Sequence, residues 1–175
     1  MSNECYGLFQ VYTGDGKGKS TAAFGLALRA AGHGMRTVVI QFMKQGTSGE
    51  VLACKNMLLL IEVYSFGTGN FIERGNIPAE DFKAAADALD KATSVIKSGI
   101  DILILDELNT AVYYRLVDEN RVLDMIKSRP AGVEVISTGR YAPMGFIENA
   151  DLVTEMKEIN HPYRQGIAAR RGIEF

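Results

Sequence analysis

The chain has 175 residues, 47% hydrophobic and 23% charged, with a formal net charge of −2. That is enough for a single domain with a real core, read here as spanning residues 1–175. A near-neutral balance without a Lys/Arg block or a membrane-length apolar run argues against nucleic acid or a membrane as partner.

In chain order, "LFQVY" at 8–12 predicts a strand. Residues 18–32 predict a helix, with Ala22, Ala23, Leu26, Ala27 and Ala30 at helical spacing and Gly32 and Gly34 as stop signals. "TVVIQFM", 37–43, and "LLLIEVYSF", 58–66, read as strands. The stretches 44–57 and 67–77 read as long loops. A long amphipathic helix is expected over 78–99, with Pro78 and acidic residues at its start and Gly99 at its end. "DILILDE", 101–107, is too apolar to have a wet face. A helix over 118–129, a strand over 133–139 and another over 150–156 follow, then a basic tail from Asn160. Strands alternating with helices predict an α/β fold, a mostly parallel central sheet with helices on both faces. The start, "MSNECYG", has neither the basic nor the apolar region of a signal peptide, so a cytoplasmic protein is expected. Cys5 and Cys54 read as two reduced thiols, and two cysteines with two histidines are too few for a cysteine-based metal site.

The first stretch with chemistry in it is "VYTGDGKGKSTAAFGLALRAAG", 11–32. Gly18, Lys19 and Ser20 fit the end of the phosphate-loop pattern G-x-x-x-x-G-K-[ST], although Thr13 stands where its first glycine belongs. Gly14, Asp15, Gly16, Lys17 and Gly18 form the loop, with the glycines freeing the backbone to turn N–H groups inward. Lys19 would neutralise phosphate charge and Ser20 would reach Mg²⁺. Ser20 and Thr21 open a helix whose N-terminal dipole favours an anion. The matching half of such a site is an acidic residue ending a buried strand, and "ILILDE" supplies Asp106 and Glu107. A carboxylate there can hold Mg²⁺. Loop and carboxylate together predict a nucleoside-triphosphate site at the carboxyl ends of the strands. They do not choose between an ATPase, a small-molecule kinase and a nucleotidyl-type transferase. His33 reads as a solvated turn residue. His161 is open between a hydrogen-bonding role and catalysis. The seven methionines read as core filling.

Beyond the loop, "VVIQFMKQG" (38–46), "LILDELNTAVYY" (103–114), "VISTGRYAP" (135–143) and "ADLVTEMKEINHPYRQGIAARRGIEF" (150–175) carry a resemblance. With the loop, they resemble the blocks of the P-loop type ATP:cob(I)alamin adenosyltransferases, also called corrinoid adenosyltransferases. The resemblance runs from about Gly7 to Phe175 and implies a P-loop NTPase-like, RecA-like fold. It also implies transfer of the 5′-deoxyadenosyl group of ATP to the cobalt of a reduced corrinoid, cob(I)alamin or cobinamide, with triphosphate leaving whole. The alternatives are a kinase or ATPase acting on the γ-phosphate, and a non-enzymatic ATP-gated corrinoid carrier.

In the family ATP lies reversed, so the loop grips the leaving group. Lys19, Lys17 and Mg²⁺ would stabilise the charge growing there, with Ser20 and Asp106 at the metal and Arg140 of the "TGR" block at phosphate or ribose. The attacking group is Co(I), so no nucleophilic side chain is required. The resemblance further implies a homodimer and an electron donor such as a reduced flavoprotein. One block departs from the pattern. Where many members read G-x-G-F-T-W, this chain reads "GTGNFIERG", 67–75. Asn70 and Ile72 fall at the aromatic positions, and Phe71 becomes the corrin-facing candidate if the loop shifts by one. Its other reading is a loop hydrophobe anchored in the core. Longer members also carry an N-terminal extension over the corrinoid, so cover is expected here from elsewhere, such as a partner subunit.

Overall fold

The computed structural model describes residues 7–57, 60–69 and 77–174. Among the described residues six strands form one sheet: β1 (Phe9–Thr13), β2 (Thr37–Phe42), β3 (Ile61–Phe66), β4 (Ile102–Asp106), β5 (Glu134–Thr138) and β6 (Leu152–Glu155). Their order is β3-β2-β4-β5-β1-β6, and every neighbouring pair is parallel. Between them run α1 (Lys19–Ala31), α2 (Gly49–Met57), α3 (Ala79–Val95), α4 (Leu108–Tyr113), α5 (Glu119–Lys127) and α6 (Met144–Asn149).

The continuous apolar runs of the central strands fold this way because both faces of the sheet are covered. Side chains alternate between the faces. Val38, Ile40 and Phe42 of β2, with Leu103 and Leu105 of β4, join a core built with α3, α4, α5 and α6. Val39 of β2, with Ile102 and Ile104 of β4, points the other way, into a core with Ala23, Phe24, Ala27 and Ala30 of α1 and Val51 and Cys54 of α2. Each fully buried aliphatic side chain contributes roughly 1.5–3 kcal/mol. A charge at Ile104 would sit between sheet and α1 without a partner and break that layer. The small residues of α1 let the helix lie close across the sheet. The β6 strand is different: it lies at the edge and all four residues are exposed.

Three helices are absent from the expectation drawn from periodicity. The stretch 44–57, expected as a loop, contains α2. Val51 and Cys54 face the core, but Leu52 is exposed on the opposite side, which breaks the apolar stripe that marks a helix. Helices α4 and α6 have six residues each, too few to display a helical period. The strand expected over 58–66 begins at Ile61 among the described residues. Cys54 is free and buried, as its reduced-thiol reading requires; Cys5 lies outside the described residues. No helix among the described residues is long and apolar enough to cross a membrane.

Because all strands are parallel, the residues that follow β1, β2, β4 and β5 emerge along one edge. The loop strand β1 and the acidic strand β4 are not neighbours; β5 lies between them. The site must therefore bridge two inter-strand spacings, and β5 contributes to it.

Candidate active site

The phosphate loop, residues 13–20, leaves β1 and enters α1. Gly14 and Gly18 have φ of 93° and 117°, in the left-handed region that side chains disfavour. Gly16 is required for a different reason than its expected dihedral freedom. A Cβ there would lie 2.7 Å from the Met156 carbonyl oxygen. That oxygen accepts a 2.7 Å hydrogen bond from the Gly16 N–H, and the Met156 N–H donates to the Thr13 oxygen at 2.8 Å. The segment after β6 thus staples the loop from behind.

Lys19 curls back into the loop and is buried. Its ammonium donates to the carbonyls of Gly14 (2.7 Å) and Gly16 (2.6 Å). Burial lowers its pKa, only partly offset by the charge of Glu107. Gly18 caps α1 without a side-chain hydrogen bond, so the first helical N–H groups face outward over the loop. Thr21 is exposed on that first turn. Lys17 points the other way: it donates to the Ile173 carbonyl at 2.8 Å and pairs with Glu174 at 3.2 Å.

Asp106 ends β4 fully buried, and every one of its oxygens is engaged. Oδ1 accepts from Ser20 Oγ and Thr138 Oγ1, both at 2.7 Å. Oδ2 accepts from Lys44 Nζ at 2.7 Å and Gln41 Nε2 at 3.0 Å. Burial alone would raise its pKa, but the Lys44 charge and these hydrogen bonds reverse that and hold it below the ordinary carboxylate range. Lys44 is likewise desolvated, yet Asp106 and Glu107 hold its pKa up. Glu107 has a left-handed backbone (φ 63°), accepts from Thr110 at 2.8 Å and lies 3.9 Å from the Lys44 ammonium. Its N–H donates to Thr138 Oγ1.

Arg140 follows β5. Its N–H donates to Thr110 Oγ1 at 3.1 Å, and its guanidinium reaches the Asp15 carbonyl at 3.4 Å. Asp15 and Arg140, with Glu155, Lys157, Glu158 and Arg164, line a charged cavity of about 500 Å³ beside the loop.

The structure therefore brings Gly14, Asp15, Gly16, Lys17, Gly18, Lys19, Ser20 and Thr21 of the loop to one edge with Asp106, Glu107 and Arg140. Phe71 lies outside the described residues. His161 caps the turn Pro162–Gln165, its Nδ1 accepting from Tyr163 N–H. His33 is exposed in the turn after α1. Sequence reasoning missed Lys44, Gln41, Thr138 and Asn109. Asn109 donates to the carbonyls of Tyr12 and Gly139, tying the ends of β1 and β5 together. The one available signal for Lys44 was its place just past the apolar β2 run, where a parallel sheet puts its site.

A site of this form accommodates many phosphate-binding proteins, and comparison with known proteins narrows it. The family model for "ATP:corrinoid adenosyltransferase BtuR/CobO/CobP" matches residues 6–175. The chain belongs to this family. It is similar to the corrinoid adenosyltransferase of Pseudomonas aeruginosa, 38% identical over 170 residues, which are 97% of this chain and 84% of that protein. It is also similar to a corrinoid adenosyltransferase from Sinorhizobium sp, 40% identical over 97% of this chain and 80% of the relative. The corrinoid adenosyltransferase CobA of Salmonella typhimurium is 35% identical over the whole chain and 89% of its own length. The six-stranded parallel sheet is the α/β architecture that the resemblance to this adenosyltransferase family implied.

Proposed function

We propose that this corrinoid adenosyltransferase transfers the 5′-deoxyadenosyl group of ATP to the Co(I) of a reduced corrinoid, through the site at the ends of β1, β4 and β5. The observation that carries the reading is a phosphate cradle with a buried lysine, facing a fully buried carboxylate, in a chain that matches the family almost end to end. The electron pair of Co(I) attacks C5′, a cobalt–carbon bond forms, and the C5′–O bond breaks with its pair passing to the triphosphate. No side chain gains or loses an atom. The protein's contribution is to hold ATP and stabilise the charge arriving on the leaving group.

Lys19 is placed to exchange its two carbonyl partners for phosphate oxygens, a stronger, charge-assisted contact. The loop N–H groups and the first turn of α1 add fixed dipoles that need no reorganisation during the reaction. Arg140 borders the cavity beside the loop and supplies a second cation for phosphate or ribose.

Ser20 and Asp106 offer a hydroxyl and a carboxylate oxygen, donors that suit Mg²⁺. An ammonium already lies among them, at 2.7 Å from Asp106 and 3.2 Å from Ser20, so the spot favours a cation. Among the described residues no group of three or more His, Cys, Asp or Glu side chains could hold a metal alone. The ion would take its other ligands from phosphate and water. Bound there, Mg²⁺ would offset charge developing on the triphosphate.

Phe71 as a corrin contact, a reduced flavoprotein as electron donor, a homodimeric assembly and a cytoplasmic setting complete the reading on resemblance. The test is anaerobic incubation with ATP, Mg²⁺ and chemically reduced cobalamin, following the alkyl-corrinoid spectrum and the phosphate product together. Triphosphate appearing in step with the spectral change is expected. Production of ADP instead would replace this reading with γ-phosphate chemistry.

A further inference from the structure

Lys44 has no assigned role, yet its ammonium is paired with both carboxylates at the end of β4. Its Nζ lies 2.7 Å from Asp106 Oδ2, 3.2 Å from Ser20 Oγ and 3.9 Å from Glu107 Oε1. The first two are the oxygens that the proposed function assigns to Mg²⁺. We propose that Lys44 and a divalent cation are alternative occupants of one seat between Ser20 and Asp106, so that Lys44 withdraws when metal arrives with the nucleotide. The inference rests on the reading of Ser20 and Asp106 as metal ligands.

Three features support it. The carboxylate cannot move aside: Asp106 is fully buried and its Oδ1 is fixed by two hydroxyls. The lysine can: 33% of its side-chain surface is open, so the ammonium reaches solvent without unpacking the core. Its aim is also built into the backbone. Met43, just before it, has a left-handed φ of 57°, which is uncommon for a side chain of that size and turns Lys44 back toward the end of β4. Gly67 braces this turn from the end of β3; a Cβ there would lie 2.6 Å from Met43 Cα. An ammonium and a dication on the same carboxylate oxygen would repel strongly in a site this dry. Metal alone then competes with a tethered cation, whereas metal carried by triphosphate supplies the expelled lysine with new anionic partners.

The test is Mn²⁺ binding to the nucleotide-free protein, read by the electron paramagnetic resonance of free Mn²⁺. Lys44→Met and Lys44→Gln should each bind one Mn²⁺ at least about tenfold more tightly than wild type, a difference of about 1.4 kcal/mol. Adding Asp106→Asn should abolish the gain. Thermal unfolding gives a second readout: Mn²⁺ should raise the Tm of either Lys44 variant and leave wild type unchanged. A variant that folds only with Mn²⁺ present supports the proposal equally. Equal Mn²⁺ affinity in wild type and variants, or a variant that Mn²⁺ fails to restore, overturns it. Triphosphate formation is measured separately. Product without competition leaves the function standing and removes this inference; competition with ADP as product does the reverse.

Discussion

Asp106→Asn is the most informative single change, because four neighbours report on it. The amide is the same size, but one oxygen becomes a donor. Ser20 and Thr138 are hydroxyls and can turn to accept from the new NH₂, so that side is recoverable. Lys44 can only donate, and Gln41 presents its NH₂ because its Oε1 accepts from Ser65, so the remaining oxygen must face them. The loss is then the charge-assisted part of the Lys44 contact and a partly stranded ammonium. Removing one partner of a fully buried pair costs about 3–5 kcal/mol. Lys44 is one-third open to water, so about 2–3 kcal/mol is expected here. A domain with about 5–15 kcal/mol of stability survives that. Urea unfolding should show a lower midpoint with an unchanged slope.

The pH profile carries the same signature. Asp106 has a lowered pKa when folded, so its contribution is present above the ordinary carboxylate range and is lost as pH falls through the folded value. Lys44 has a raised one, so its contribution is present below the ordinary lysine range and lost as pH rises through its folded value. The asparagine variant should be flatter on both limbs. Triphosphate release should fall on the order of 10²-fold, with a higher Mg²⁺ requirement. Wild-type stability together with unchanged Mg²⁺ dependence would refute the assignment and reduce Asp106 to a strand-end residue.

Lys19→Ala should lower the rate on the order of 10²-fold or more even at saturating ATP, measured by triphosphate release, because the buried ammonium meets the departing charge. Gly67→Ala should shift Met43 and Lys44 and weaken metal-nucleotide binding in calorimetry while leaving far-UV circular dichroism unchanged, since the added methyl meets backbone at the end of β2. Glu174 is held by Arg170 and Lys17 with its pKa lowered to about 2, so the tail's grip on Lys17 should persist at neutral pH. It should be lost as pH falls from the ordinary carboxylate range toward that value, read from the Glu174 carboxyl resonance. A Glu174 resonance that titrates at the ordinary value would mean that the tether does not form in solution.

The elements that sequence reasoning located are those with long, pure patterns. β2 and β4 are buried on both faces, and α1 and α3 run long enough to show a helical stripe. What escaped was short or mixed: α4 and α6 have under two turns, and α2 exposes Leu52 opposite Val51 and Cys54. The same split governs the site. The glycines, Lys19 and Asp106 were legible because a contiguous loop or a strand end announces them. Lys44 and Thr138 were not, because only the sheet order that sets β4 between β2 and β5 brings them to Asp106 from either side. Gly16 was legible as a glycine, but its reason, the Met156 carbonyl against it, comes from the far end of the chain.

That Met156 staple also constrains the order of assembly. The loop is held through Thr13 and Gly16 to Met156, a residue distant in the sequence. Contacts of such separation form late, after the intervening segments have closed. During synthesis the N-terminal strand and its glycines emerge first, but their backing emerges only with β6. A nascent chain therefore carries the whole phosphate-loop motif well before it has a braced cradle. The braced cradle is therefore complete only once Met156 is in place behind Thr13 and Gly16.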